Sequence, residues 1–427
     1  MAILQLAQVG CGGMGLRHVY GLIELRQCGF SDFQLVSICD KNRSAAEYVA
    51  KIAESGLGIR PRIHTDFQQM LETEMSLDAV NIVTDTLTHQ PFAVAGFNAG
   101  LHVSVEKPMA ITVSACHKML KASIEAGKVL SVSENYRRDP MNRFVKMILE
   151  SGIIGDVRLA INVSTTTGTN DVRQGVAWRH LKDRGGLILE YGVHTSDLIL
   201  YFMGSVDRIY AETHLWQKTR TMTDHISPEL NKFYSHRVKE EIENVSYINA
   251  TAEDTAASVL RFKSGAIAQI TYSDSAPGES SDTDVIYGSK GSLRLPGSRT
   301  GNSIKVFLTG NETAVSNHDL LKEVPEFHLD DVTSHIFGGA DQPLGYQLSF
   351  EYYDRKLIAI EMQDFCNSII EGREPEVMGS IGLDAVALSY SILESGYLNE
   401  PLLFEDVRNG SISGYQKSIN LNSILSI

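Results

Sequence analysis

The sequence predicts an α/β chain in two parts, a doubly wound parallel sheet followed by an α+β domain built on a mostly antiparallel sheet. Short β-rich runs alternate with helical stretches from residue 3 to about 133, which is the signature of a parallel sheet wound by helices. A glycine cluster, Gly10-Cys11-Gly12-Gly13-Met14-Gly15, sits between the first run and the first helical stretch. After Tyr136 the texture changes to long alternating strands with few helices between them. A chain of 427 residues also exceeds one ordinary core, so the parts are set at 1–135 and 136–427.

Taken in order, the strands of the first part are predicted at 3–9, 33–39, 61–64, 79–84, 102–105 and 129–133, with helices at 14–27, 43–55, 66–73, 89–99 and 112–126 between them. Strands separated by helices in this way form a complete doubly wound unit. In the second part a helix at about 141–151 ends at Gly152, and strands follow at 157–167, 206–214, 255–262 and 265–273. An apolar helix is predicted over 187–203 and a second long one over about 351–371, while the polar stretches 217–250 and 274–283 read as loops.

Composition bounds the function. The formal charge of −14 disfavours nucleic acid and anionic membranes as partners. Five cysteines without a C-x-x-C pair argue against a disulfide framework or structural zinc. Thirteen histidines with no H-E-x-x-H pair argue against a dedicated metal site. The apolar first ten residues run straight into the glycines, which predicts a strand rather than a signal peptide. The apolar run 187–203 is broken by Glu190, His194 and Asp197 and is too short for a membrane span. The expectation is a cytoplasmic protein.

The glycine cluster has the form G-x-G-x-x-G in the strand–turn–helix setting of a Rossmann dinucleotide site. Gly10 permits the tight turn, Gly12 lets the backbone approach a pyrophosphate, and Gly15 allows close helix packing, with Gly13 and Met14 opening the helix. Asp40, at the end of the second strand, suits the adenosine ribose hydroxyls and repels a 2′-phosphate, which favours NAD over NADP. Arg43 is the competing signal for NADP, and capping of the next helix is the structural alternative for Asp40. Glu106-Lys107-Pro108 follows the fifth strand at the carboxyl edge of the sheet, where Lys107 can donate a hydrogen bond to a substrate oxygen beside a nicotinamide.

Four ordered stretches, the glycine cluster, VEKPMA at 105–110, RRDP at 137–140 and GGLILEYGVHTSDLILYFMG at 185–204, make the chain resemble the Gfo/Idh/MocA oxidoreductase family. The resemblance implies a Rossmann domain followed by a large open-faced sheet used for homo-dimer or homo-tetramer formation. It also implies oxidation or reduction of sugars and cyclitols with NAD(P), with Lys107, Glu190 and His194 as catalytic groups. Glu190 stands where the family more often has Asp. Of the family's T-P-N-x-x-H stretch the chain keeps Thr84 and His89, which become cofactor-proximal candidates together with Glu106.

Residue chemistry agrees with that assignment. Glu190 and His194 are four apart and share a face if both lie on one helix, so Glu190 is expected to orient the imidazole. His194 suits removal of a hydroxyl proton, and Lys107 suits stabilisation of the oxyanion. Candidate substrate contacts are Tyr136, Arg138, Trp178, Arg179 and Tyr191. The cations of 173–184 around Trp178 read either as a site for a carbohydrate or cyclitol with an anionic substituent or as a solvated, charged loop. Two other readings fit the same residues: an NAD-dependent glycosidase that oxidises the ring only transiently, and a non-catalytic NAD-binding protein.

Overall fold

The computed structural model describes residues 3–166, 171–172, 176–222, 228–242, 246–297, 299–342 and 344–419. Arg173 of the predicted cationic stretch lies outside them. The first sheet contains β1 (Leu4–Val9), β2 (Phe33–Cys39), β3 (Arg62–His64), β4 (Ala79–Ile82), β5 (His102–Glu106) and β6 (Leu130–Ser133), all parallel, in the order β3-β2-β1-β4-β5-β6. The order reverses between β1 and β4, so their carboxyl ends diverge into a crevice. Buried β-branched and leucine side chains on both faces, among them Leu6, Val80, Ile82, Val103 and Val105, explain why these strands read as continuous apolar runs.

The second sheet has eight strands, β7 (Val157–Thr165), β8 (Val206–His214), β11 (Thr255–Phe262), β12 (Ile267–Ser273), β13 (Asp282–Gly288), β14 (Gly291–Arg294), β15 (Lys305–Leu308) and β16 (Leu402–Leu403). A separate ribbon pairs β9 (Thr219–Thr221) with β10 (Tyr247–Asn249). All neighbours in the large sheet are antiparallel except β7 and β12. One face is covered by the helix Gly379–Leu398, whose Ser395 hydroxyl accepts the Ala211 N–H of β8 at 2.9 Å. Strict alternation along β11, buried and exposed by turns, leaves the other face open.

Two findings depart from the predicted elements, whereas the long helix expected at about 351–371 forms. Residues 217–250 are not a loop: they hold β9, β10 and the helix Pro228–Ile242. The helix expected over 187–203 is interrupted at Tyr191, giving Gly186–Glu190 and Gly192–Met203. The helix Phe350–Glu371, late in sequence, buries Leu357, Ile358, Met362 and Phe365 in the same cluster as Leu16, Val19, Leu22 and Phe33 of the first sheet's layer.

Candidate active site

The turn after β1 is built as its glycines require. Gly10 has φ +102°, and a Cβ there would lie 2.2 Å from the Val83 carbonyl oxygen; a Cβ on Gly15 would lie 2.1 Å from the Gly10 oxygen. The helix Gly13–Gln27 therefore starts against the strand ends with its first N–H groups facing a cleft of about 590 Å³. Gly10, Gly12, Gly13, Met14, Asp40 and Thr84 line that cleft. A backbone cradle that no side chain could fill, at the topological switch point, fits a dinucleotide pyrophosphate.

Asp40 is 7% exposed and accepts the Cys11 N–H at 2.7 Å on Oδ2 and the Asn42 N–H at 2.8 Å on Oδ1. It ties the glycine turn to β2, while the cap of the following helix is Asn42. Arg43 is 67% exposed and faces Glu47.

The Lys107–Pro108 bond is cis, and Lys107 Nζ donates to the main-chain carbonyl of Glu190 at 3.0 Å. His89 holds the same loop, its Nδ1 2.9 Å from the Pro108 carbonyl oxygen and its Nε2 3.3 Å from that of Thr84. Glu106 does not face the cleft. Its carboxylate turns inward to His18 Nε2 at 2.9 Å; burial pushes its pKa up, but the His18 bond and the charges of His18 and Lys107 hold it below the usual range. The Asn81 amide lies 3.0 Å from His18 Nδ1. Among the described residues, His18, Glu106 and Glu361 are the one group whose spacing would allow a metal ion.

The expected Glu190–His194 pair does not form. The break at Tyr191 separates the two turns. Thr86 donates to Glu190 Oε1 at 2.5 Å, and His194 Nδ1 lies 2.6 Å from Oε1 of Glu134, just past the end of β6. Glu134 also accepts the Tyr136 N–H at 3.2 Å, and its other oxygen has no partner among the described residues. Burial pushes the Glu134 carboxyl up to about 7. Burial, with the charges of Lys107 and Arg299 behind it, holds His194 well below its ordinary value. Tyr136 stacks on the imidazole with ring centroids 3.8 Å apart and an interplanar angle of 7°. The result is a neutral imidazole, clamped in position by Glu134 and Tyr136.

Of the substrate candidates, Tyr136 is at His194 and Arg138 is not. The Arg138 side chain is wholly buried and donates to Asp364 and Glu376, both at 3.1 Å, because its own turn points it into the second domain. Trp178 and Arg179 line the dinucleotide cleft, and Arg179 donates to the Tyr191 hydroxyl at 3.2 Å. The helix Pro228–Ile242 closes the cleft from above. Its Tyr234 ring lies against Gly13, and its His236 Nε2 lies 2.9 Å from the Cys11 carbonyl oxygen.

Glu134 is the partner of His194 that sequence reasoning missed. Its position at the carboxyl end of a parallel strand, two residues before Tyr136, was the available signal.

A Rossmann cleft whose own β5 loop presents a lysine beside a neutral histidine from the second domain is the arrangement of a dinucleotide-dependent oxidoreductase. The chain belongs to the Gfo/Idh/MocA family. The profile described as an oxidoreductase family with an NAD-binding Rossmann fold matches residues 4–134, and that of the Gfo/Idh/MocA C-terminal domain matches 142–294. The chain is similar to inositol 2-dehydrogenase 2 of Saccharopolyspora erythraea, 28% identical over 202 residues that cover 47% of this chain and 54% of that protein. The match thus spans about half of that relative. It is also similar to myo-inositol 2-dehydrogenase of Thermotoga maritima, 22% identical over 92% of this chain and 96% of that one. Its fold matches the solved structure of a levoglucosan dehydrogenase in complex with NADH and L-sorbose, with a TM-score of 0.74, 20% identity, and coverage of 95% of this chain and 99% of that one.

Proposed function

We propose that the protein is an NAD-dependent dehydrogenase or reductase that interconverts a secondary hydroxyl and a ketone on a sugar, sugar acid or inositol-like ring. The observation that carries this reading is that Lys107, held on the Glu190 carbonyl, is close enough for its charge to act on His194, which Glu134 and Tyr136 clamp. NAD bound along Gly12, Gly13, Asp40 and Thr84 would supply a nicotinamide that takes up hydride from the carbinol carbon. His194 removes the hydroxyl proton through Nε2, since Nδ1 is engaged by Glu134. Lys107, held by the Glu190 carbonyl, donates to the oxygen on which negative charge develops. Glu190 then acts as a positioning residue through its main chain, and Thr86 holds its carboxylate. Lysine supplies the electrophile, so the reaction as proposed needs no metal. Asp40 at the ribose and an Arg43 occupied by Glu47 support NAD over NADP. The net charge of −14 supports a small-molecule partner rather than nucleic acid or membrane, in the cytoplasm. We further propose assembly as a homo-oligomer through the open sheet.

The test is NADH formation, followed at saturating NAD with inositols, hexoses and their acids. Lasting NADH in a one-to-one ratio with ketone is the expected outcome; release of a glycoside's leaving group without net NADH would instead favour the glycosidase reading. Lys107→Met should lower kcat by about 10²- to 10³-fold, the usual loss for an oxyanion donor, while NADH binding persists.

A further inference from the structure

The loop joining β14 to β15 carries Arg299, which holds a left-handed backbone at φ 56°. Its guanidinium lies over the Tyr136 ring, 4.7 Å from the centroid, and Tyr136 in turn stacks on His194. Phe350 and Tyr353 wall the same group at 5.7 and 5.8 Å. The Arg299 side chain is only 19% exposed, and its Nε has no partner among the described residues.

Among the described residues the carboxylate within ion-pair reach of it is already committed. Arg299 Nη1 stands 3.5 Å from Asp354 Oδ1, but Arg17 grips both oxygens of Asp354, its Nε at 2.8 Å from Oδ2 and its Nη2 on Oδ1. Two buried guanidiniums thus share one carboxylate. Arginine does not shed its proton to relieve the excess. A guanidinium held out of water without a full complement of acceptors is costly, and a fork of N–H donors matches a carboxylate or phosphate group. Aromatic walls around it lower the local dielectric and sharpen that preference.

We propose that Arg299 is a specificity residue: the substrate carries an anionic substituent, a carboxylate or a phosphate ester, that seats on Arg299 while its hydroxyl faces His194. This rests on the dehydrogenase reading above and narrows it to anionic members of the sugar and cyclitol class. Arg179 and Arg184 line the dinucleotide side, whereas Arg299 lies over the Tyr136 ring that stacks on His194. The excess positive charge also accounts for part of the field that keeps His194 neutral.

The experiment uses the full chain loaded with NADH and titrates glucose, glucuronate, gluconate and glucose 6-phosphate by calorimetry, with NADH formation from the same compounds measured on the NAD form. At least one anionic compound should bind about 10- to 100-fold more tightly than glucose, in line with a charge-assisted hydrogen-bonded pair. The carboxylate and phosphate arms then identify which anion the site takes. Arg299→Gln should erase that preference, and Arg299→Lys should restore part of it; melting curves confirm that both variants fold. A preference for anions that survives in Arg299→Gln, or equal binding of glucose and every anion, overturns the proposal. So does a weakened NADH affinity with the anion preference intact, which would assign Arg299 to the cofactor. Arg299-dependent anion binding without NADH from any compound would leave the anion site standing and sink the dehydrogenase reading. NADH from neutral sugars with no Arg299-dependent preference would do the reverse.

Discussion

At the scale of the residue, the proposed dehydrogenase would take its pH dependence from the Glu134–His194 pair. With Nδ1 of His194 at 2.6 Å from the carboxyl, the two groups titrate as a unit. The pair can accept a substrate proton only when it holds a single proton, on Nδ1, with Glu134 ionised and Nε2 free. Burial pushes the Glu134 carboxyl up to about 7, so below that pH the pair carries a second proton and cannot act as a base. We therefore expect kcat/KM for oxidation to rise with pH through one ionisation near 7 and level off above it, with the opposite trend for reduction. In Glu134→Gln the amide oxygen still accepts the Nδ1 proton but no longer titrates; kcat should fall by about 10²-fold and the inflection near 7 should vanish. An unaltered inflection in that variant would assign the ionisation to another group. Stability carries the same sign. A carboxyl held neutral in the folded chain, against an ordinary 4.5, contributes most below 4.5 and loses its contribution as pH rises through about 7. Lys107 and His194 were legible because their motifs are local. Glu134 and Arg299 reach the site across 60 and more than 100 residues of chain, where spacing carries no information about contact.

At the scale of the element, the helix Pro228–Ile242 is the part that the sequence concealed most. Its polar composition reads as a loop, yet proline opens it, and Leu230, Phe233, Tyr234, Val238 and Ile242 recur at helical spacing. By contrast, the helix Gly379–Leu398 is buried nearly all round, so it offers no amphipathic face to detect. The Rossmann strands were legible to within a residue or two because each is a short apolar run bounded by turn residues. Helix Pro228–Ile242 is anchored chiefly by Phe233, which is 2% exposed and packs edge-on to Tyr20 at 6.0 Å and Phe350 at 6.3 Å. That anchor sets Tyr234 against Gly13, at the mouth of the dinucleotide cleft. Phe233→Ala should loosen the helix without unfolding either sheet, and the NADH dissociation rate should rise about tenfold, equivalent to 1.4 kcal/mol. Stopped-flow fluorescence of NADH release measures it directly; a rate equal to that of the unaltered protein would show that the helix does not restrain the cofactor.

At the scale of the whole molecule, the second sheet presents an uncovered face rich in large apolar side chains. Leu159, Tyr210, Val259, Ile267, Tyr287, Phe307 and Leu403 all point outward, with exposures between 36% and 52%. They are neighbours by register: Leu159 lies between Ile267 and Tyr287, and Val259 lies beside Tyr210. Alternation places Ala160, Ala268, Leu260 and Ile209 on the inner face instead, under the helical layer. An apolar band running across several adjacent strands exceeds the scattered exposed leucines of ordinary surfaces. Two copies related by a two-fold axis would cover the band with itself, and a standard interface of about 1,600 Å² would be available on a sheet of this width. Sedimentation at micromolar concentration should therefore show a dimer or a multiple of one. Val259→Glu with Tyr287→Glu would place like charges against each other across the axis and raise the dissociation constant by at least about 100-fold, the cost of burying unpaired carboxylates. Both substitutions lie on the face opposite the helical layer, so NADH binding measured on the resulting monomer separates loss of assembly from loss of fold. A monomer in the unaltered protein would instead mean that the band serves another partner.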